Sequence, residues 1–393
     1  SEEVHEALDL CLSCKGCKGD CPVDVDIATY KAEFRAHYYR RRLRPREAYA
    51  FGWIHWWARA ASKAPGLVNL LTRREPFAGV AKWAARVHPD RTLPRFADRT
   101  FRERFRDGLR PAVPTGRRVI LWADTFKNFL DPEPLVDAAR VLGALGYNVV
   151  VPGATLCCGR PLYDYGFLGM ARKLLRGVLD ALRDDIVAGV PVVGVEPSCV
   201  ATFRDELGGL FPHDRMAQRL AKQTFLLPEF LQKYALDVAL PDTGWTALLH
   251  GHCHQKAVLD FDADRRLFDR LGMDVHVPDS GCCGMAGPFG FEREHYDVSV
   301  ACAERVLLPA VRARDAGTMV VTDGFSCREQ IVQAVPDVSP LNSAQVLWRA
   351  LERHGMTRDV GRPRQGYKKD VERHRVASGD GFATAEGAPG EGG

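Results

Sequence analysis

Two rhythms divide the chain. From about 117 to 350, short apolar runs alternate with longer amphipathic ones, whereas the preceding stretch reads as helical. Arg118–Trp122, Tyr147–Val151 and Pro191–Val195 predict strands, with helices over Pro134–Leu145 and Gly166–Val187. The order then recurs, with strands at Thr246–Leu249, Met273–Val277 and Thr318–Val321 and helices at Lys256–Leu271 and Phe289–Ala313. Such alternation predicts parallel sheets with helical crossovers. The repeat extends to the chemistry: Cys157-Cys158-Gly159 returns 125 positions on as Cys282-Cys283-Gly284, and Cys199 returns 128 positions on as Cys327. Two tandem copies of one α/β unit are expected, at 117–240 and 241–352.

Ahead of them, residues 1–38 hold two short helical patterns, Val4–Leu10 and Ile27–Phe34, around a cysteine cluster. Residues 39–116 are rich in Arg, Trp and Pro, with turn signals at Pro45, Pro65-Gly66, Pro76, Pro89, Pro94 and Pro111. Several short amphipathic helices are expected there. Residues 353–393 turn polar and Gly-rich and predict a disordered tail.

Composition is that of an ordinary globular chain: 393 residues, 46% apolar and 26% charged. No run approaches the 18 or so uninterrupted apolar residues of a membrane-spanning helix. The net charge of +4 conceals an asymmetry, because Arg40–Arg118 holds 20 Arg or Lys against 6 Asp or Glu. Trp53, Trp56, Trp57 and Trp83 lie in this stretch, the first three at i, i+3, i+4 spacing. The preferred reading is packing between domains, with Arg stems covering apolar surface. A membrane surface is the alternative, and no helix–turn–helix or zinc-finger spacing supports nucleic acid.

The opening Ser-Glu-Glu-Val-His is acidic with no apolar core behind it, so thiols in a reducing compartment are expected rather than disulfides. The lack of an initiator Met adds the expectation that the chain is part of a longer polypeptide. The twelve cysteines cluster, which favours metal.

Cys11-x2-Cys14-x2-Cys17-x3-Cys21-Pro22 has the bacterial ferredoxin spacing, in which closely spaced thiolates hold a [4Fe–4S] cluster and the fourth Cys ligates a neighbouring one. Either all four ligate one cluster here, or Cys21 serves a cluster whose other cysteines lie upstream. Gly16 and Gly19 are expected to form the tight loop around the sulfurs.

Cys253, Cys282, Cys283 and Cys327 all fall at predicted strand ends of the second unit, the edge where ligands bind in open α/β folds. The first unit offers three, Cys157, Cys158 and Cys199, because Thr125 aligns with Cys253. Three thiolates could hold a cluster with an open iron or a fourth ligand from elsewhere, or be vestigial. Cys302, mid-helix, stays outside the site. His250, His252 and His254 alternate around Cys253 and read either as zinc ligands or as hydrogen-bonding edge residues.

Ala7-Leu-Asp-Leu-Cys-Leu-Ser-Cys-Lys-Gly-Cys-Lys and Cys21-Pro-Val-Asp-Val-Asp resemble the second ferredoxin motif of large bacterial flavin dehydrogenases. Cys157-Cys-Gly-Arg-Pro-Leu-Tyr-Asp, Glu196-Pro-Ser-Cys, His250-Gly-His-Cys-His-Gln-Lys, Gly281-Cys-Cys-Gly-Met-Ala-Gly and Asp323-Gly-Phe-Ser-Cys-Arg-Glu-Gln are similar to that family too. The cysteine-rich units also resemble those of heterodisulfide reductase and of the iron–sulfur subunits of anaerobic glycerol-3-phosphate dehydrogenase and glycolate oxidase. The first unit departs from the heterodisulfide-reductase pattern in lacking its leading Cys, and neither unit has a Cys-x-x-Cys pair.

The resemblance implies the iron–sulfur portion of an FAD-linked D-2-hydroxyacid dehydrogenase of the D-lactate or D-2-hydroxyglutarate type. It implies 4Fe–4S clusters in this chain, with FAD on a part outside it. The fold expected is α/β, a helical ferredoxin-like segment followed by two cysteine-rich units with small parallel sheets. The partners implied are an upstream FAD domain on the same or a separate chain, a quinone or other electron acceptor, and a second copy of the chain. Cytoplasmic location is expected, with peripheral contact at the inner face of the membrane. The alternatives are a separate iron–sulfur subunit docked through Arg40–Arg118, and a zinc-stabilised adaptor.

Overall fold

The computed structural model describes residues 1–109 and 116–357. The predicted tail beyond 357, and the turn at Pro111, lie outside the described residues.

Among the described residues, seven short strands form two sheets. β1 (Arg118–Leu121), β2 (Asn148–Val150), β3 (Val192–Gly194) and β4 (Thr224–Leu226) make the first, in the order β2-β1-β3-β4. β5 (Thr246–Leu249), β6 (Asp274–His276) and β7 (Met319–Val321) make the second, in the order β6-β5-β7. Every pairing is parallel. The sequence reading missed β4, a three-residue strand too short to carry periodicity. Its counterpart in the second unit has shrunk to one parallel bridge, Val321 to Leu341.

Successive side chains of a strand point to opposite faces, so each sheet must cover two. Val119, Leu121 and Val193 of the first sheet and Ala247, Leu249 and Val321 of the second meet in one shared core. The crossover helix Glu133–Ala144 and the C-terminal helix Ser343–Arg353 pack against each other within it. The alternate residues face outward. Ile120, Trp122 and Val192 join Phe203, Leu175 and Val178 under the first unit's outer layer, and Leu248 and Val320 join Leu307, Val311 and Ile331 under the second's. The two units thus stand back to back on a common apolar layer.

Polar contacts pin them together at the carboxyl edge of the sheets. Glu196 accepts the Phe325 N–H (2.9 Å), Lys127 Nζ donates to the Asp323 carbonyl (2.9 Å), and Asn342 Nδ2 donates to the Val195 carbonyl (3.1 Å).

Three expected helices are broken. Gly166–Val187 divides into Leu168–Ala181 and Arg183–Val187, Lys256–Leu271 into Cys253–Val258 and Asp262–Arg270, and Phe289–Ala313 into a 3-10 turn and two helices. The described part of the connector forms several short helices, as expected, with an irregular stretch over 85–100, but its tryptophans do not form one face. The helix starts afresh after Trp53, and Ile54–Ala61 buries His55, Ala58 and Ala61 while Trp57 stays half exposed. Trp53 and Trp56 pack against the first unit's outer core and Val87 enters the second's, so the connector straddles both units.

Candidate metal centre

Cys11 and Cys14 lie on a loop between helix Glu2–Asp9 and the short helix Gly16–Asp20, Cys17 lies within that short helix, and Cys21 ends it, ahead of helix Ile27–Tyr38. All four are half-buried. Left-handed backbone at Ser13 (φ 53°) and Lys15 (φ 61°) turns the loop, not the glycines, which sit inside the short helix. Gly16 instead lies close against the sulfur, since a Cβ there would be 3.7 Å from Cys14 Sγ, and its N–H donates to that sulfur. The Ser13 N–H lies 3.4 Å from Cys11 Sγ.

Two buried lysines fix this loop. Lys15 reaches Asp26 (2.9 Å), Glu206 (3.1 Å) and Asp205, and these carboxylates raise its pKa although burial opposes the charge. Lys31 donates to the Cys11 carbonyl (2.6 Å), and its burial lowers it to about 8. The loop also touches both cysteine-rich units. Arg160 of the first donates to the Ser13 carbonyl (3.2 Å), and His254 Nε2 of the second lies 3.0 Å from the same oxygen.

The second unit gathers Cys253, Cys282, Cys283 and Cys327 as its sequence placement predicts. Cys253 opens helix Cys253–Val258 directly after β5, and Cys327 is the third residue of helix Phe325–Ala334 after β7. Cys282 and Cys283 lie on the loop after β6, where Gly284 (φ 81°) turns the chain and its N–H lies 3.4 Å from Cys282 Sγ. The four thiols are linked by hydrogen bonds. Contact with Cys282 holds both Cys253 and Cys283 well below the ordinary thiol range, while Cys282 is pushed well above it by Cys253 and Cys283, and Cys327 by Cys283.

The three histidines do not act together. His250 bonds Ser280 (2.8 Å) and Cys283; His252 caps the Cys253 helix 3.8 Å from Cys253 Sγ; His254 turns away to Ser13. This fits hydrogen-bonding edge residues and not a three-histidine zinc site. Cys302 lies apart on helix Tyr296–Glu304.

The first unit brings Cys157, Cys158 and Cys199 together, with Cys158 Sγ 2.9 Å from Cys199 Sγ. All three are buried and pushed above the ordinary range. For Cys157 the hydrogen bond to Cys158 leads. Cys199 reaches about 11, against the hydrogen bond from Cys158, through burial and nearby Asp124. A residue invisible to sequence reasoning joins them: His55 of the connector, whose Nδ1 lies 3.3 Å from Thr125 Oγ1 and which stands close enough to Cys157 to favour its thiolate. A lone His far upstream carries no spacing signal.

As placed, among the described residues no three His, Cys, Asp or Glu side chains stand in the geometry of a bound metal ion. The donor sets nevertheless fit iron–sulfur ligation. They are soft thiols in clusters of four and three, buried or half-buried, with backbone N–H groups aimed at sulfur. Cys11, Cys14, Cys17 and Cys21 would hold one cluster and Cys253, Cys282, Cys283 and Cys327 another. Such clusters supply one-electron transfer.

Sequence comparison agrees with this geometry. Residues 124–204 match the family model described as Cysteine-rich domain (CCG). The chain is 28% identical over 355 residues to a D-2-hydroxyglutarate dehydrogenase of Pseudomonas putida, covering 84% of this chain and 33% of that one. The corresponding dehydrogenase of Escherichia coli is 26% identical over 346 residues, with the same coverage. One subunit of the anaerobic glycerol-3-phosphate dehydrogenase of Escherichia coli is 28% identical over 276 residues, 67% of each chain. The chain thus carries a cysteine-rich CCG domain and is homologous to part of these oxidoreductases. It spans about a third of the length of the D-2-hydroxyglutarate dehydrogenases it matches. No helix among the described residues is long and apolar enough to cross a membrane.

Proposed function

We propose that this chain is the iron–sulfur electron-transfer part of a flavin-linked dehydrogenase acting on a D-2-hydroxy acid, of the D-2-hydroxyglutarate or D-lactate type. Electrons leave FAD outside the described residues, enter the Cys11–Cys21 centre, and pass to the Cys253/Cys282/Cys283/Cys327 centre. One observation carries this reading: helix Gly16–Asp20, which bears Cys17, packs directly on helix Cys253–Val258, which Cys253 opens. Two four-thiol sets in such proximity serve electron transfer. A zinc-stabilised adaptor would have no use for it.

An acceptor has a place beside the second set. A cavity of about 240 Å³ opens between the connector and both units, walled by Phe51, Ile54, Phe126 and Phe325, with His252 and Cys253 also on its wall. A quinone is the acceptor class such walls favour. Connector helices Pro65–Arg73 and Phe77–Ala84 expose Leu67, Leu71, Phe77, Val80 and Trp83 beside Arg73, Arg74 and Lys82. This face would meet a lipid surface or the flavin part.

The match over two thirds of the anaerobic glycerol-3-phosphate dehydrogenase subunit favours a second reading, a separate chain that docks on a flavin-bearing one. Iron and acid-labile sulfide per chain, after anaerobic purification, test the shared core of both. About eight irons or more supports two clusters; zinc without iron overturns electron transfer. A reading frame continuous with a flavin domain separates the fused form from the separate chain.

A further inference from the structure

The two cysteine-rich units match position by position. Asp124 caps helix Thr125–Phe129 as His252 caps helix Cys253–Val258. Gly159 (φ 80°) and Gly284 (φ 81°) follow the paired cysteines, each N–H 3.4 Å from the first sulfur of its pair. Cys199 and Cys327 are each the third residue of the helix after β3 and β7. Thr125 therefore stands where the second unit has its fourth thiol, Cys253.

What meets Thr125 is His55. Its Nδ1 lies 3.3 Å from Thr125 Oγ1, inside the protein, where the ring is 4% exposed. The same imidazole lies close enough to Cys157 to favour its thiolate, and Cys158 Sγ lies 2.9 Å from Cys199 Sγ. The helix that carries it, Ile54–Ala61, packs on helix Thr125–Phe129 and buries beside His55 only Ala58 and Ala61. Small residues flank the one side chain that enters the cysteine cluster.

We propose that the first unit is a metal centre in its own right, ligated by Cys157, Cys158, Cys199 and His55. The imidazole takes the place of the missing thiol, and the Thr125 hydroxyl fixes the ring through Nδ1, leaving Nε2 for the metal. Three thiolates and one imidazole form a donor set that suits tetrahedral zinc and equally a [4Fe–4S] cluster with one non-cysteine ligand. Binding exchanges the thiol protons and the thiol–thiol hydrogen bonds for metal–sulfur bonds. The inference rests on the iron–sulfur reading above only in the iron case.

The test is metal analysis of the anaerobically purified full chain as wild type, His55→Ala, His55→Cys, Cys158→Ser and Cys282→Ser. In the wild type a third centre adds either one zinc, or four irons for a total of about twelve. His55→Ala and Cys158→Ser lose that increment, whereas Cys282→Ser keeps it and loses second-unit iron. His55→Cys restores a four-thiol set and keeps the metal. In the iron case the wild-type electron paramagnetic resonance carries a nitrogen coupling that His55→Cys abolishes, and the cluster potential falls, as exchange of His for Cys requires. In the zinc case His55→Ala removes zinc and leaves every iron signal intact.

Wild-type metal content equal to that of His55→Ala and Cys158→Ser overturns the inference. Iron near eight, without zinc and indifferent to His55, sinks this centre alone, while absence of iron sinks the electron-transfer reading. Should His55→Ala fail to fold, His55→Cys against Cys158→Ser decides the matter.

Discussion

The Ser13 carbonyl oxygen is bracketed by two side chains, with His254 Nε2 3.0 Å away and Arg160 Nη2 at 3.2 Å. One backbone atom of the N-terminal cysteine loop is thereby tied to both cysteine-rich units. The loop is a keystone between them, and its position beside Cys253 follows from this contact.

Arg160 is buried and also pairs with Glu206 and with Asp164 (3.2 Å). Arg160→Ala leaves Glu206 with Lys15 as its sole charged partner among the described residues. It should cost about 3 kcal/mol, the range for breaking a buried pair. Denaturant unfolding measures the loss, and the N-terminal loop should become the first site of limited proteolysis.

The N-terminal segment is held a second way. His295 lies between Asp9 (2.9 Å) and Glu292 (2.6 Å), and these carboxylates push it up to about 9 although burial opposes the charge. Its contribution is complete below the unfolded histidine value of about 6.5 and is lost as pH rises through 9. Asp9 is shifted down, by His295 and Arg35 against its burial, so its contribution is lost in acid instead. Protease cleavage of the N-terminal segment should therefore accelerate above pH 9. His295→Gln should be fast already at pH 7, without that added acceleration above pH 9.

The shared apolar layer predicts that the units unfold as one. Leu347 is fully buried in it, so Leu347→Ala should cost about 2–5 kcal/mol. Calorimetry should show one transition shifted down as a whole. Two transitions, of which only one moves, would contradict the back-to-back arrangement.

Much of this was legible in the sequence. The repeat of Cys-Cys-Gly and of strand–helix order placed both sheets and the second thiol cluster, because each element is local and each Cys is fixed by a strand end. Three features escaped, each through contacts distant in sequence. β4 and helix Ser343–Arg353 are defined by the layer they complete. The loop turns at Ser13 and Lys15, residues whose left-handed backbone is imposed by tertiary contacts. His55 meets its cysteines across some 100 residues of chain.

The central claim is that the Cys11–Cys21 and Cys253/Cys282/Cys283/Cys327 sets hold clusters that exchange electrons at close range. Electron paramagnetic resonance of the fully reduced chain tests it most directly. The account predicts two interacting spins, seen as broadened or split signals, that collapse to a single simple spectrum in Cys282→Ser. Sharp, additive signals unaffected by Cys282→Ser would contradict it.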